Sequence, residues 1–521
     1  MAVAWIVLVF PIGLLVVGAI RLRETIMPIT LPEWAERTAL LGIVLAAYSA
    51  VHVIVFGPTT SPVLGLGHFG FSVLLDPVSV ILLLLTSILA WVILRFSATH
   101  LHGEAGEGSF TFFVCLTLAG IALLVTSGNL VQLGLAWVAT AIGVNRLLIF
   151  YSDRPGARRA ARKNIIFARA ADIALAVGLL LLYRAYGVFD IAAINAAART
   201  GFVPPAAVLA AACLAVAAVL QSALLPVQGW LIGAIEAPTP VLALLHAGVV
   251  SAGGFLLIRF SDVMLGAPII LAALVIVGGF SALVGSIVML TQSAAKTALA
   301  WSTVSQMGFI MLQCGLGLFP LALLHIFAHA LYKAHAFLIA AQAGHVISAA
   351  RRLGPVAPAS VRNVALAMGI AITLYALVGL PLGLVEKSPQ AVALGAILVF
   401  GVGYLVAQGL ADAAPRELGM ATARASVLFV VSFLGFQWVA QTLTAGTLPP
   451  TPQAGPLEWM LIILTLFSFT AVTVLQALLP LWSAHPAVRG LRVHVTNGFY
   501  FNARADRFAG AWKTDTRTKD T

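Results

Sequence analysis

Three ionisable side chains recur every four residues in the stretch His325-Ile-Phe-Ala-His329-Ala-Leu-Tyr-Lys333, inside a long apolar run. At 3.6 residues per turn they share one helix face over an arc of roughly 80°. Ionisable groups at membrane depth are costly, and they face a polar interior or an ion path. The chemistry that fits is proton movement. Histidine takes up and releases protons near neutral pH, and a lysine ammonium carries three protons to donate. His246 and Lys296 lie in neighbouring apolar runs and extend the set. Gln221, Ser302, Thr303 and Ser305 supply amide and hydroxyl groups that hold connecting water. The expectation is a conduit that admits protons from outside and delivers them to the cytoplasm.

Several of these residues also have plainer roles. Lys296 is either a station or a helix-end anchor whose stem lies along apolar surface. His335 sits about 200° around the helix from Lys333, and it and His345 read as packed histidines. Asp76, just before Pro77, is either an N-cap or a conducting carboxylate. Arg169 and Asp172 stand three apart on one helix face and read as a structural pair. Cys115, Cys213 and Cys314 are scattered in apolar segments without metal-ligand spacing and read as small core residues.

The elements that must position these groups follow from composition. The chain has 521 residues, 61% hydrophobic and only 9% charged. So little charge cannot keep a soluble surface wet, and backbone groups in lipid must be bonded internally, so the apolar runs are helices. Roughly fifteen runs reach the length that crosses the hydrocarbon core. They lie near 2–20, 38–57, 77–97, 110–127, 129–151, 164–184, 205–231, 238–260, 266–290, 298–316, 320–347, 362–385, 389–413, 424–445 and 457–482. The fold class expected is an all-α, polytopic membrane protein, with a transmembrane domain over 1–482 and a basic tail over 483–521. The first apolar run lacks a basic start and a cleavage site, so it reads as a retained span. Residues 190–199 read as a short interfacial helix.

A net charge of +11 does not point to nucleic acid. Basic residues crowd the cytoplasmic loops of membrane proteins. The densest group, Arg154, Arg158, Arg159, Arg162 and Lys163, reads as such a loop after the fifth span. Arg21, Arg23, Lys296, Arg351, Arg352 and Arg416 follow other odd-numbered spans, and the tail adds Arg489, Arg492, Arg504, Arg507, Lys513 and Lys519. All fall on one side, which predicts an outward N-terminus and a cytoplasmic tail. Pro226, after Gln221, and Gly379-Leu-Pro381-Leu-Gly383 interrupt the seventh and twelfth spans. Such interruptions either expose carbonyls at an ion site or are kinks repaired by neighbours. Five spans separate them, the spacing of a five-helix repeat.

The chain resembles the antiporter-like subunits, the proton-translocating membrane subunits of respiratory complex I and of multisubunit cation/proton antiporters. The residues that carry the resemblance are Pro238-Thr-Pro240-Val with Ala243-Leu-Leu-His246-Ala, and Asn129-Leu with Trp137. Arg169-Ala-Ala-Asp172, Lys296 with Leu299-Ala-Trp-Ser302-Thr-Val-Ser305-Gln306-Met-Gly308, and His325, His329, Ala330, Lys333 and Phe337 complete it. It covers roughly residues 70–350. It implies two inverted five-helix repeats, each with a broken helix, in a body of roughly 13–16 spans.

Departures from that family matter more. Its pumps carry a glutamate directly after the tryptophan of the fifth span, where this chain has Val138, and a lysine in the broken seventh helix, where it has Gln221. Such a pair attracts by several kcal/mol in a low-dielectric site. Val138 cannot ionise, and Gln221 bonds without changing charge. Arg146 either snorkels or replaces the charge missing from the fifth span. The thirteenth span lacks the lysine of the pumps, and Glu386 and Lys387 lie near the family's twelfth-helix loop. Losses of this kind, with the tail Leu491-Arg-Val-His-Val-Thr-Asn497-Gly498-Phe-Tyr500-Phe, are similar to the DabB-type subunits of inorganic-carbon accumulation complexes. That resemblance implies a transporter subunit and not an enzyme, coupling a cation gradient to CO2 and bicarbonate accumulation. It implies a DabA-like, zinc-binding partner related to carbonic anhydrases, with the zinc in the partner and no cofactor in this chain. The competing expectation is a subunit of a proton-pumping NADH-quinone oxidoreductase or a cation/proton antiporter.

Overall fold

The computed structural model describes residues 2–23, 31–66, 69–201, 203–346, 361–409, 416–478 and 485–508. Arg351, Arg352, Lys513, Lys519 and the side chain of His345 lie outside the described residues.

The path begins with α1 (Ala2–Ile6), α2 (Val9–Arg23) and α3 (Leu31–Phe56). Two short antiparallel ladders follow, pairing β1 (Thr59–Thr60) with β4 (Leu74–Leu75) and β2 (Leu64–Leu66) with β3 (Phe69–Phe71). The sequence reading held no strand there. Next come α4 (Pro77–His100), α5 (Glu107–Val125), α6 (Leu130–Leu148), α7 (Pro155–Tyr186) and the short α8 (Ile191–Arg199). The first interrupted region consists of α9 (Pro205–Gln221), α10 (Gly229–Gly233), α11 (Thr239–Ala247), α12 (Ala252–Arg259) and α13 (Ser261–Leu265). Then follow α14 (Pro268–Met289), α15 (Ala295–Gly315), α16 (Phe319–Val346), α17 (Val361–Gly379), α18 (Pro389–Gly409), α19 (Arg416–Thr444) and α20 (Pro456–Ala477). Two tail helices, Pro486–Thr496 and Phe501–Phe508, end the described chain.

Among the described residues, eleven helices are long and apolar enough to cross a membrane, and three more apolar helices are shorter. The predicted spans coincide with helices over their described residues, apart from a few end residues and the breaks within 205–231 and 362–385, so the protein is an all-helical, multi-pass membrane protein. Local signals set several starts. Asp76 caps α4 by accepting from the Ser79 amide at 2.7 Å with Pro77 in the first turn, and Asn129 and Asp190 cap α6 and α8 in the same way. Small residues set the closest packing. A Cβ on Gly278 would meet the Gly308 carbonyl at 2.6 Å and one on Gly285 the Ser305 amide at 2.8 Å, so α14 and α15 touch backbone to backbone.

Loop contacts sort into two ends. At one, the hairpin end, Val73 bridges Ser127, Asn129 bridges Asp190, and Arg199 pairs with Asp262 and donates to the Thr447 carbonyl. At the other, the tail end, Tyr151 bonds Glu104, Lys163 meets Asp506, and Gln292 donates to the Thr496 carbonyl. Consecutive spans therefore run in alternate directions. One correction follows at the tail end. Residues 155–163, expected in a loop, are the opening turns of α7, and Lys163 is buried while Arg158, Arg159 and Arg162 stay exposed.

Two spans are interrupted at corresponding places. The first breaks over 222–228, after Gln221, and resumes in α10; the second passes at Gly379 into 3-10 turns Leu380–Leu382 and Leu384–Glu386. Five crossings separate the breaks, so the units around them start from opposite ends of the bundle. The span after the first break is itself interrupted by a 3-10 turn, Val249–Ser251.

Candidate functional site

α16 runs from the hairpin end towards the tail end, and its spacing of four turns His325, His329 and Lys333 onto one face. That face meets α15. At 21 residues α15 has the length of a span, yet it is not among the helices apolar enough to count as one. Its polar side chains explain why: Ser302, Thr303, Gln306 and Gln313 point at α16 and α11.

Lys333 is fully buried, and its Nζ donates to the Leu299 carbonyl and to Ser302 Oγ, each at 2.9 Å. The same carbonyl accepts from Thr303 Oγ at 3.1 Å. With that proton committed, the Thr303 oxygen accepts from Nδ1 of His246 at 3.0 Å, so His246 carries its proton on Nδ1. Its Nε2 meets no partner among the described residues, and its ring stacks on Phe337 at 4.3 Å. The His246 carbonyl in turn takes a bond from His329 Nε2 at 3.2 Å, which fixes the opposite tautomer on His329.

One turn towards the hairpin end, His325 lies between two glutamines. Nδ1 is 2.9 Å from Gln313 Oε1 and Nε2 is 2.7 Å from Gln306 Oε1. Two carbonyl oxygens suit an imidazole protonated on both nitrogens, and turning one amide over suits the neutral ring. The cradle therefore accepts either charge state at the cost of one amide rotation. At the tail end, Lys296 is half-buried and donates to Thr239 Oγ at 3.3 Å. From Lys296 to Gln313, α15 rises about 25 Å, most of the thickness of a hydrocarbon core.

The structure thus gathers His246, Lys296, His325, His329 and Lys333 along one seam with Ser302 and Thr303. Two expected members stand beside it. Gln221, largely buried, reaches the Val249 carbonyl at 3.4 Å, while Ser222 reaches the Val250 carbonyl at 2.9 Å, joining the first break to the 3-10 turn Val249–Ser251 of the span that follows it. Ser305 bonds the Ala282 carbonyl of α14 at 2.9 Å and faces away from the line.

Arg146 is exposed on α6 and does not fill the place of the missing carboxylate, because its side chain leaves the bundle. Trp137 is buried, with Val138 half-buried beside it. Arg169 and Asp172 form an ion pair at 2.8 Å, and His335 is exposed on the face of α16 away from the seam. Asp76 is a cap and more: its second oxygen takes Arg259 at 2.7 Å, and that guanidinium also reaches Ser79 Oγ and the Val125 carbonyl.

Sequence reasoning did not single out Gln313, Gln306 as a partner of His325, or Gln437. Lys387, in the second break, donates at 2.7 Å to Gln437, which is fully buried on α19, whereas Glu386 is exposed. Gln228 also passed unnoticed; its amide is buried in the first break with no partner among the described residues. A glutamine inside an apolar helix is the signal for Gln306, Gln313 and Gln437, and a glutamine two residues after Pro226 is the signal for Gln228.

The membrane-domain model described as NADH:quinone oxidoreductase/Mrp antiporter matches residues 127–387. A protein named "Probable inorganic carbon transporter subunit DabB2" from Halothiobacillus neapolitanus is 34% identical over 90% of this chain and 86% of its own length. A "Probable inorganic carbon transporter subunit DabB" from Hydrogenovibrio crunogenus is 40% identical over 50% of this chain and 51% of its own. Among solved structures, the Mrp complex from Dietzia sp. contains a chain that superposes with a TM-score of 0.60 at 20% identity, covering 98% of this chain and 60% of that one.

Proposed function

The chain belongs to the DabB-type branch of the NADH:quinone oxidoreductase/Mrp antiporter membrane-subunit family, and from that premise we propose that it conducts protons down their gradient to drive inorganic-carbon accumulation. One observation carries the reading. Five protonatable side chains occupy a seam about 25 Å long, joined at Lys333, Thr303 and His246 through bonds of 2.9–3.1 Å. Protons enter near the His325 cradle, pass His329 and His246 to Lys333, and leave past Lys296. Gln221 holds water where the broken spans meet.

Val138 and Gln221, in place of a glutamate and a lysine, support downhill flow over pumping. A pump needs a charge pair that opens and closes, and neither of these can change charge. The basic tail end faces the cytoplasm in this reading, and the N-terminus faces outward. The carbon chemistry resides in a zinc-binding, carbonic-anhydrase-like partner, which turns CO2 into bicarbonate as protons pass through this subunit.

The test is uptake of radiolabelled bicarbonate by cells carrying both subunits. Lys333→Ala and His329→Ala should each abolish uptake while the two subunits still co-purify, and a protonophore should do the same to the unaltered complex. Full uptake by the Lys333 variant rules the conduit out. A cysteine placed in the tail and labelled only from outside would reverse the orientation.

A further inference from the structure

At the tail end, the basic group beginning at Arg154 contains one member that does not behave as a solvated loop charge. Lys163 is buried, and its Nζ meets Asp506 at 2.8 Å and Asn502 Oδ1 at 2.9 Å. Both partners belong to the terminal helix Phe501–Phe508. That helix lies on α10, the tail-end half of the first interrupted span. A Cβ on Gly229 would displace the Asn502 side chain, which is how closely the helix seats there.

The other edge of the same segment reaches the start of α15. Gln292, in the turn before α15, donates to the Thr496 carbonyl at 3.1 Å. A Cβ on Gly498 would meet the Trp301 ring at 2.7 Å, and Trp301 adjoins Ser302, a partner of Lys333. Residues 486–508 therefore bridge α7 and α10 on one side to the start of α15 on the other, at the end of the bundle where Lys296 also lies.

We propose that this segment is a latch over the exit, closed by Lys163 and Asp506, which opens during each transport cycle; the proposal rests on the conducting role argued above. Two features suit an element that must move. Its hinge is wound against preference: Gly498, Phe499 and Tyr500 take φ of 56°, 52° and 60° in succession. Glycine adopts such angles freely, but two bulky aromatic residues do not, and strain held by neighbours is released when they part. Its first helix is also sparsely anchored. On the helix Pro486–Thr496, Val495 is the buried residue, and Leu491 and Val493 remain about half exposed. Elements with few buried contacts open at low cost.

The experiment uses the full complex, with Cys115, Cys213 and Cys314 replaced by alanine. Lys163→Cys and Asp506→Cys are introduced together and joined by a short bismaleimide. A latch that must open predicts at least a tenfold fall in bicarbonate uptake on joining, with no such fall when each cysteine is capped separately by N-ethylmaleimide. Unchanged uptake in fully joined protein overturns the latch. Should the cysteine pair be inactive before treatment, the exchange Lys163→Asp with Asp506→Lys decides. Uptake restored above either single change supports the paired closure, and no restoration overturns it. Lys333→Ala separates the two ideas. If that variant is inactive while the joined protein is fully active, conduction stands and the latch falls. If Lys333→Ala transports normally, the conducting role falls whatever the cross-link does.

Discussion

Two buried cations, Arg259 and Lys333, occupy opposite kinds of site in this bundle. Arg259 lies near the hairpin end with a carboxylate of Asp76 at 2.7 Å, Ser79 Oγ at 2.8 Å and a carbonyl at 3.1 Å. Lys333 lies in the seam with a hydroxyl and a carbonyl, and no carboxylate pairs with it among the described residues. A guanidinium is not deprotonated in proteins, so Arg259 is a fixed charge matched by a fixed counter-charge. An amine can hand its proton on, and neutral partners let it do so without stranding an opposite charge. The first arrangement ties three segments together, the start of α4, the end of α5 and α12; the second, in the proposed conduit, leaves the amine able to release its proton.

The largest expected effect breaks the fixed pair. Arg259→Ala leaves the Asp76 carboxylate buried without its counter-charge, a loss of about 3–5 kcal/mol. Thermal unfolding of the detergent-solubilised complex should drop sharply, and uptake should fall with the amount of folded protein. Replacing the pair together, Asp76→Leu with Arg259→Met, should recover most of that stability, since packed apolar residues substitute well for a buried ion pair. Normal stability with lost uptake in the single variant would move Arg259 from the scaffold into the path.

Next comes the mobile proton. Lys333→Met keeps the volume and removes the proton, and uptake should fall at least tenfold, about 1.4 kcal/mol in barrier terms, with the unfolding temperature nearly unchanged. Lys333→Arg sharpens the contrast. It keeps the charge but cannot release it, so uptake should stay low. A fully active arginine variant would mean that a positive field, and not proton exchange, is what the seam needs.

The two sites also differ in how far they could be read from residues alone. Spans and breaks were legible because apolar length and proline are properties of a short stretch, as was the shared face of His325, His329 and Lys333. What each station bonds to was not. Gln306 and Gln313 approach His325 across a helix interface, and Asp76 meets Arg259 across 183 positions. Lys163 was read as one of many loop charges because nothing near it in sequence announces Asp506. Charge at a helix end looks alike whether it points to water or inward; tertiary packing alone decides.

A smaller effect should come from the cradle. His325 keeps hydrogen-bonding neighbours if replaced by glutamine, so His325→Gln should lower uptake only severalfold while removing a titrating group. Gln306→Leu with Gln313→Leu should do more harm than His325→Gln if the two amides are what let the ring change charge state. The order of the two variants, measured in the same uptake assay at matched protein levels, tests that use of the amide pair.

The smallest effect should come from His335, two residues beyond Lys333 on the same helix. It is exposed on the opposite face, among Leu331, Tyr332 and Ile339, which are likewise turned outward. His335→Ala should change stability by no more than about 0.5 kcal/mol and leave uptake unaltered. The value of this variant lies in its position: it shares helix and chemistry with His329, lies less than two turns further along, and faces the other way. A loss comparable to that of His329→Ala would mean that protonatable groups count wherever they lie on α16, and the distinction between a fixed pair and an inward-facing line would no longer explain transport.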